Sequence, residues 1–200
     1  MLSIKTRQKY LKNLGFYNGK IDGVEGSNTK KAYKALQTKY FDRKKDIDGV
    51  YGNNTEILLR NAERVRLYAK NFKLTEFKCE CGGKYCTGYH TLLDINLLKY
   101  VQKLRNKYGA LTITSGLRCP NYNANIGGIR GSKHTQGKAV DWFTTYTFKS
   151  LANRKEAINW YANNCSKMFY AYCDGYARYK YRREYPSVPS MYKSIHVDVK

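Results

Sequence analysis

The stretch GSKHTQGKAVDWF, residues 131–143, decides how the rest of the chain is read. Histidine occurs only 3 times in 200 residues, and His134 stands shortly before Asp141 among small, flexible and polar neighbours. If KAVDWF is a strand, its period of two places Ala139, Asp141 and Phe143 on one face and Val140 and Trp142 on the other. The final SIHVDVK, residues 194–200, sets His196 and Asp198 together while Val197 and Val199 point into a core. Two neighbouring strands can thus present a carboxylate and an imidazole to one cleft, with His134 joining them from the loop. That makes two nitrogens and one oxygen around a divalent ion, with a fourth position for water. Zinc tolerates such mixed ligation, and a site with three protein ligands lowers the pKa of bound water to about 7. Gly137 lets the loop turn back so that His134 and Asp141 converge, and Ala139 keeps that face open. His90, the remaining histidine, is read as an ordinary hydrogen-bonded side chain.

The segments around this stretch alternate in period. FKCECGGKYC (77–86) comes first, then a helix with Leu97, Leu98, Val101 and Leu104 on one side. A β-type run LTITSG (111–116), a polar loop from Arg118 to Lys133, the strand KAVDWF, a helix across roughly residues 149–162, a strand KMFYAY (167–172) and the closing strand complete the order. Short strands with flanking helices predict an α+β fold with a small antiparallel sheet.

The first third of the chain reads differently. IDGVEGSNT (21–29) and IDGVYGNNT (47–55) are copies of one pattern, a turn followed by a helix start. Asp22 and Asp48 can bond forward to backbone amides, the glycines after them accept a positive φ, and Ser27/Asn28 or Asn53/Asn54 are placed to cap. Apolar residues at helical spacing follow both copies: Ala32, Tyr33 and Leu36, then Ile57, Leu58, Ala62 and Val65. With an earlier helix from Ile4 through Leu14, this predicts a three-helix module over 1–68 and a second domain over 69–200. No Pro/Gly-rich linker separates them.

From Arg7 to Asn61 the chain resembles the peptidoglycan-binding domain 1 family, through LKNLGFYNGKIDGVEGSNTKKAYKALQ and the second IDGVYGNNT. The resemblance implies a module that anchors a catalytic partner to the cell wall. SKHTQGKAVD fits SxHxxGxAxD, the zinc-site pattern of the M15 family of metallopeptidases, preceded by SGLRCPNYNANIGG and closed by HVDV. This second resemblance spans about Phe72 to Lys200 and is similar to the D-Ala-D-Ala carboxypeptidase branch. It implies an M15/hedgehog-like domain in which His134, Asp141 and His196 are zinc ligands and Ser132 belongs to the substrate surroundings. Arg118 of SGLR then stabilises the oxyanion, which suits a guanidinium fixed where negative charge develops. One position departs from the pattern. Where many members carry a Glu or Asp general base, three residues before the last zinc histidine, this chain has Lys193. Asp198 is the nearest replacement as catalytic base or as a carboxylate orienting the ligands, and Asp174 is a further candidate.

Composition constrains partners. The formal charge is +22, with Lys+Arg 37 against Asp+Glu 15, which concentrates the protein on polyanions without choosing among nucleic acid, membrane and wall. No nucleic-acid motif is present, so nucleic acid is not expected as a partner. Twenty tyrosines supply apolar surface with a hydroxyl handle, suited to carbohydrate and polymer contacts. No apolar run approaches the roughly 18 residues of a membrane span, and the N-terminus has no apolar signal core. Cytoplasmic synthesis, with action on the bacterial wall after release by a holin-type route if phage-encoded, is the expectation. Cys79, Cys81, Cys86 and Cys119 can form a structural thiolate zinc site, though the CxC start departs from the usual CxxC and free thiols are the default. Cys165 and Cys173 show no ligand spacing. The expectation is therefore a monomeric, endolysin-like zinc peptidase acting on peptidoglycan stem peptides or cross-bridges, with peptidoglycan and anionic wall polymers as partners. A zinc-containing peptidoglycan-binding protein without catalysis is the alternative.

Overall fold

The computed structural model describes residues 1–180 and 190–200. Its N-terminal part is built from α1 (Ile4–Asn13), α2 (Ser27–Tyr40) and α3 (Asn53–Tyr68). Leu11, Tyr33, Leu36, Leu58 and Leu59 are fully buried between them. The two repeats form the connections. Val24 N–H donates to Asp22 at 2.9 Å and Val50 N–H to Asp48 at 2.8 Å. Gly23 and Gly49 take φ of 82° and 76°, left-handed values that a side chain rarely tolerates.

Two features of these turns differ from the sequence expectation. Gly26 and Gly52 are the N-caps, without a side-chain cap bond, so Ser27 and Asn53 are already the first helical residues. The polar groups of the turns are instead satisfied by glutamines from the preceding helices. Gln8 donates to Asp22 and to Val24 O and accepts from Gly23 N–H. Gln37 repeats the pattern with Asp48, Val50 O and Gly49 N–H. Both are buried, and a buried amide that satisfies a whole turn holds it more firmly than an exposed cap does.

The C-terminal part contains α4 (Ile95–Tyr108), β1 (Leu111–Ser115), α5 (Pro120–Asn125), β2 (Ala139–Thr144), α6 (Thr145–Lys149), α7 (Leu151–Asn164), β3 (Met168–Cys173), β4 (Tyr176–Tyr179) and β5 (Ile195–Val199). The strands form one antiparallel sheet in the order β1-β2-β5-β3-β4. The fold is therefore mixed helix and antiparallel sheet, as the alternating periods predict. The polar loop after Arg118 contains the short α5, started by Pro120 at a position where its missing N–H costs nothing. The strand β4 is an addition, closed onto β3 by the turn at Asp174 and Gly175. Leu97, Leu98, Val101 and Leu104 of α4 are all fully buried, which accounts for their spacing.

The two parts share one continuous core. Asn61 of α3 accepts from Leu93 N–H at 2.8 Å and donates to Thr91 O at 2.9 Å. Arg64 reaches Leu93 O at 2.5 Å, and Lys78 pairs with Asp42 at 2.7 Å. No helix among the described residues is long and apolar enough to cross a membrane.

Candidate metal centre

The centre of the sheet brings the site together. Asp141 on β2 lies directly opposite His196 on β5, and Ala139 lies opposite Asp198. His134 enters from a single 3-10 turn, Lys133–Gln136, that ends at Gly137 in the left-handed conformation. Gly137 has no alternative: besides its φ of 69°, a Cβ there would lie 2.2 Å from Leu92 O. Its carbonyl accepts from Asp94 N–H at 2.8 Å, fixing the loop to the start of α4. His90 holds the same loop from the side, its Nε2 lying 3.0 Å from Thr135 O.

Three ligand atoms converge. His196 Nδ1 is 2.8 Å from Asp141 Oδ1. His134 Nε2 is 3.3 Å from His196 Nδ1 and 3.3 Å from Asp141 Oδ1. Each imidazole has its other nitrogen engaged elsewhere: His134 Nδ1 at Gly116 O, 2.7 Å away, and His196 Nε2 at Asp198, 3.3 Å away. A ring nitrogen facing a carbonyl or carboxylate carries the proton, which leaves the opposite nitrogen as a lone pair. Two lone pairs and a carboxylate oxygen thus point at one another with no donor between them, and only a cation or a proton can fill the space. The triangle they make is small enough for one point to lie about 2.0 Å from all three, the bond length of zinc to nitrogen and oxygen. The residues therefore fit a divalent metal.

The electrostatics agree. Burial opposes charge on His196, yet the hydrogen bonds and charges of Asp141 and Asp198 outweigh it and raise its pKa to about 9. Burial also works against the Asp141 carboxylate, but His134 and His196 hold its pKa well below the usual carboxylate range. Burial pushes His134 down, so it is neutral. Without metal, a proton on His196 takes the place of the cation.

The surrounding residues sort by contact. Arg118 donates from Nη2 to Asp141 Oδ2 at 2.5 Å and from Nε to Ser115 Oγ at 2.8 Å. Its side chain is 18% exposed, so it borders the cleft. Asp198 is 1% exposed and accepts from Tyr170 N–H at 2.6 Å as well as facing His196. Both of its oxygens are occupied behind the imidazole. Ser132 precedes the His134 turn, its carbonyl accepting from the Thr135 hydroxyl at 2.6 Å. Lys193 takes a φ of 69° and lays its ammonium over the Phe148 ring, 4.4 Å from the centroid. Asp174 is engaged by Arg154 and by Met191 N–H. Among the described residues, Asp141 and Asp198 are the acidic groups that contact the imidazoles.

Three contributors escaped the sequence reading. Gly116 supplies a carbonyl and Tyr170 an amide, backbone roles that no residue type announces. Tyr172 on β3 stacks on His196 with centroids 4.7 Å apart, at a position opposite it in the sheet. Its alternation with Tyr170 in KMFYAY was the available signal.

Two family models match stretches of the chain. Residues 2–59 match the family model described as a peptidoglycan binding domain, and residues 70–167 match the model Peptidase M15. The chain therefore pairs an N-terminal stretch similar to the peptidoglycan-binding domain family with a following stretch similar to the M15 peptidases. No curated protein matches it. M15 peptidases are zinc-dependent, and the described residues include two groups able to hold a metal, the His134, Asp141, His196 centre and a cluster of four cysteines.

Proposed function

We propose that this protein is a zinc peptidase that hydrolyses an amide bond in peptidoglycan stem peptides or cross-bridges, held to the wall by its first domain. The observation that carries the reading is the convergence of His134 Nε2, Asp141 Oδ1 and His196 Nδ1, with the opposite ring nitrogens turned to Gly116 O and Asp198. These three atoms would hold the ion. Zinc bound by three such ligands supplies a Lewis acid and a water acidic enough to yield hydroxide near neutral pH. The chain's own groups prepare the ground for that chemistry. Gly116 O and Asp198 fix which nitrogen of each imidazole is available, and the Arg118 guanidinium holds Asp141 while keeping further N–H groups for a carbonyl oxygen that gains negative charge. Asp198, buried with both oxygens engaged, is assigned to orienting His196 rather than to touching substrate. Ser132 is assigned to the rim where substrate enters.

We put the domain division at 68/69, a reading supported by the end of α3 at Tyr68. Anionic wall polymers complement the +22 charge. The test is digestion of purified peptidoglycan followed by mass spectrometry of the released fragments, with and without chelator. His134→Ala and His196→Ala should each abolish release while the full-length variants still sediment with cell walls. The masses decide between carboxypeptidase and endopeptidase cleavage. Full activity in both variants would end the metal mechanism.

One observation favours a second reading, a wall-binding protein that keeps zinc without hydrolysis. The position of the family's acidic base is Lys193, whose ammonium rests on Phe148. Stoichiometric zinc with no fragment released at high protein concentration would select it.

A further inference from the structure

Four of the six cysteines meet at one place. Cys79, Cys81 and Cys86 come from the stretch between the 3-10 turn ending at Phe77 and the start of α4, which has no helix or strand of its own. Cys119 arrives separately, as the N-cap of α5. Their sulfur atoms all lie within 4.8 Å of one another, and all four residues are buried. Cys165 and Cys173 are equally buried but belong to no such group, so burial of thiols does not by itself collect them.

The distances discriminate between ways of using four sulfurs. Disulfide sulfurs lie about 2.05 Å apart, whereas sulfurs bound tetrahedrally at about 2.3 Å from zinc lie about 3.8 Å apart. Cys81 and Cys86 are separated by 3.5 Å, which is the second geometry. Two backbone amides also aim at sulfur: Cys119 N–H at Cys79 Sγ, 3.3 Å, and Gly88 N–H at Cys86 Sγ, 3.4 Å. A neutral thiol is a weak acceptor, while a thiolate ligand rewards such donors. The stretch also needs a fastener. Irregular segments beyond about 12–15 residues are uncommon in compact domains unless something fixes them, and residues 78–94 are irregular yet pinned against the first domain through Lys78 to Asp42 and Asp42 N–H to Thr87 O.

We propose that Cys79, Cys81, Cys86 and Cys119 bind a structural zinc ion, separate from the His134, Asp141, His196 centre. The ion ties the 78–94 stretch to α5 and so stiffens the seam between the two domains. Because Cys119 follows Arg118, the same clamp fixes the guanidinium that holds Asp141. Binding replaces up to four thiol protons, which leave to solvent.

The test uses the full chain with His134→Ala and His196→Ala together, purified in reductant, so that its outcome is independent of the peptidase reading. Elemental mass spectrometry is expected to find one zinc per chain. Replacement by cobalt is expected to give the intense near-ultraviolet sulfur-to-cobalt charge transfer of thiolate ligation. A metal-free double variant, or cobalt bound without that band, would overturn the proposal. In the wild-type protein, which avoids any folding defect, alkylation followed by peptide mass spectrometry should label Cys79, Cys81, Cys86 and Cys119 only after chelator is added, with Cys165 and Cys173 protected throughout. Labelling of the four at the same rate without chelator, or a disulfide among them, would equally overturn it.

Discussion

Replacing Asp198 by asparagine separates two roles that a carboxylate beside a metal centre can have. The substitution keeps shape and volume in a site that is 1% exposed, so the packing around it survives. It reverses the direction of a hydrogen bond and removes a negative charge beside His196. Asp198 now accepts from Tyr170 N–H at 2.6 Å and faces His196 Nε2 at 3.3 Å. An asparagine keeps its oxygen on the Tyr170 amide and turns its NH2 toward Nε2. Two donors cannot face each other, so the imidazole proton moves to Nδ1, which points at Asp141 from 2.8 Å. That is the nitrogen a metal needs bare. Restoring the binding tautomer leaves N–H against NH2 in a buried site, at a cost of about 1–3 kcal/mol for an unmade hydrogen bond. At about 1.4 kcal/mol per tenfold, metal affinity at this centre should fall by about 10–100-fold, the range found when partners of ligating histidines are removed.

The assay is a competition titration against a chromophoric chelator, following the metal equivalent that His134→Ala removes, paired with turnover at saturating zinc. The expected result is weakened metal binding with turnover per bound metal within a few-fold of wild type. Unchanged affinity together with a collapse of turnover would refute the reasoning, because it would mean that Asp198 reaches the reacting atoms.

Gly137→Ala should destabilise the protein by at least about 2 kcal/mol, since a positive φ and a Cβ 2.2 Å from Leu92 O both oppose it; urea denaturation measures this, and the variant should also lose metal at the centre. Gln37→Leu leaves the buried Gly49 N–H without its acceptor, while Val50 O keeps the Thr55 hydroxyl, which predicts a loss of about 1–3 kcal/mol for one unmet group, read as a lowered thermal midpoint. Asp22 and Asp48 are held below the ordinary carboxylate pKa, mainly by the amides of Val24 and Val50. Their contribution is therefore full above the unfolded value of about 4 and lost as pH falls through the lower folded values, so Asp22→Asn with Asp48→Asn should flatten the acid limb of the stability profile.

What the sequence disclosed and what it withheld follow from the kind of interaction. The three ligand candidates were legible because metal ligation restricts residue type, and because a strand's period of two puts Asp141, and separately His196 with Asp198, on defined faces. The register that sets Asp141 against His196 is a pairing between residues far apart in the chain, and single-strand periodicity carries no information about it. The DG turns were legible because positive φ restricts residue type; the glutamines that satisfy them were not, since Gln8 and Gln37 look like any polar helical residue until the turn folds back over them. Capping was misplaced by one residue for the same reason: with Gln8 and Gln37 meeting the turn's polar groups, the glycines at 26 and 52 suffice as caps.

The absence of a Pro/Gly linker has a structural counterpart. No punctuation separates the domains because the structure has little slack there: α3 ends at Tyr68, and Asn61 and Arg64 within it bind backbone groups of residues 91 and 93. The loop that receives those bonds also supports His134, through His90 to Thr135 O and through Leu92 against Gly137. The last helix of the first domain and the candidate ligand His134 are therefore neighbours through one short piece of backbone. Under the proposed function, packing rather than a tether would orient the cleft toward the polymer, and Asn61→Ala, which removes two bonds at that seam, should alter the product pattern on intact walls more than on soluble fragments.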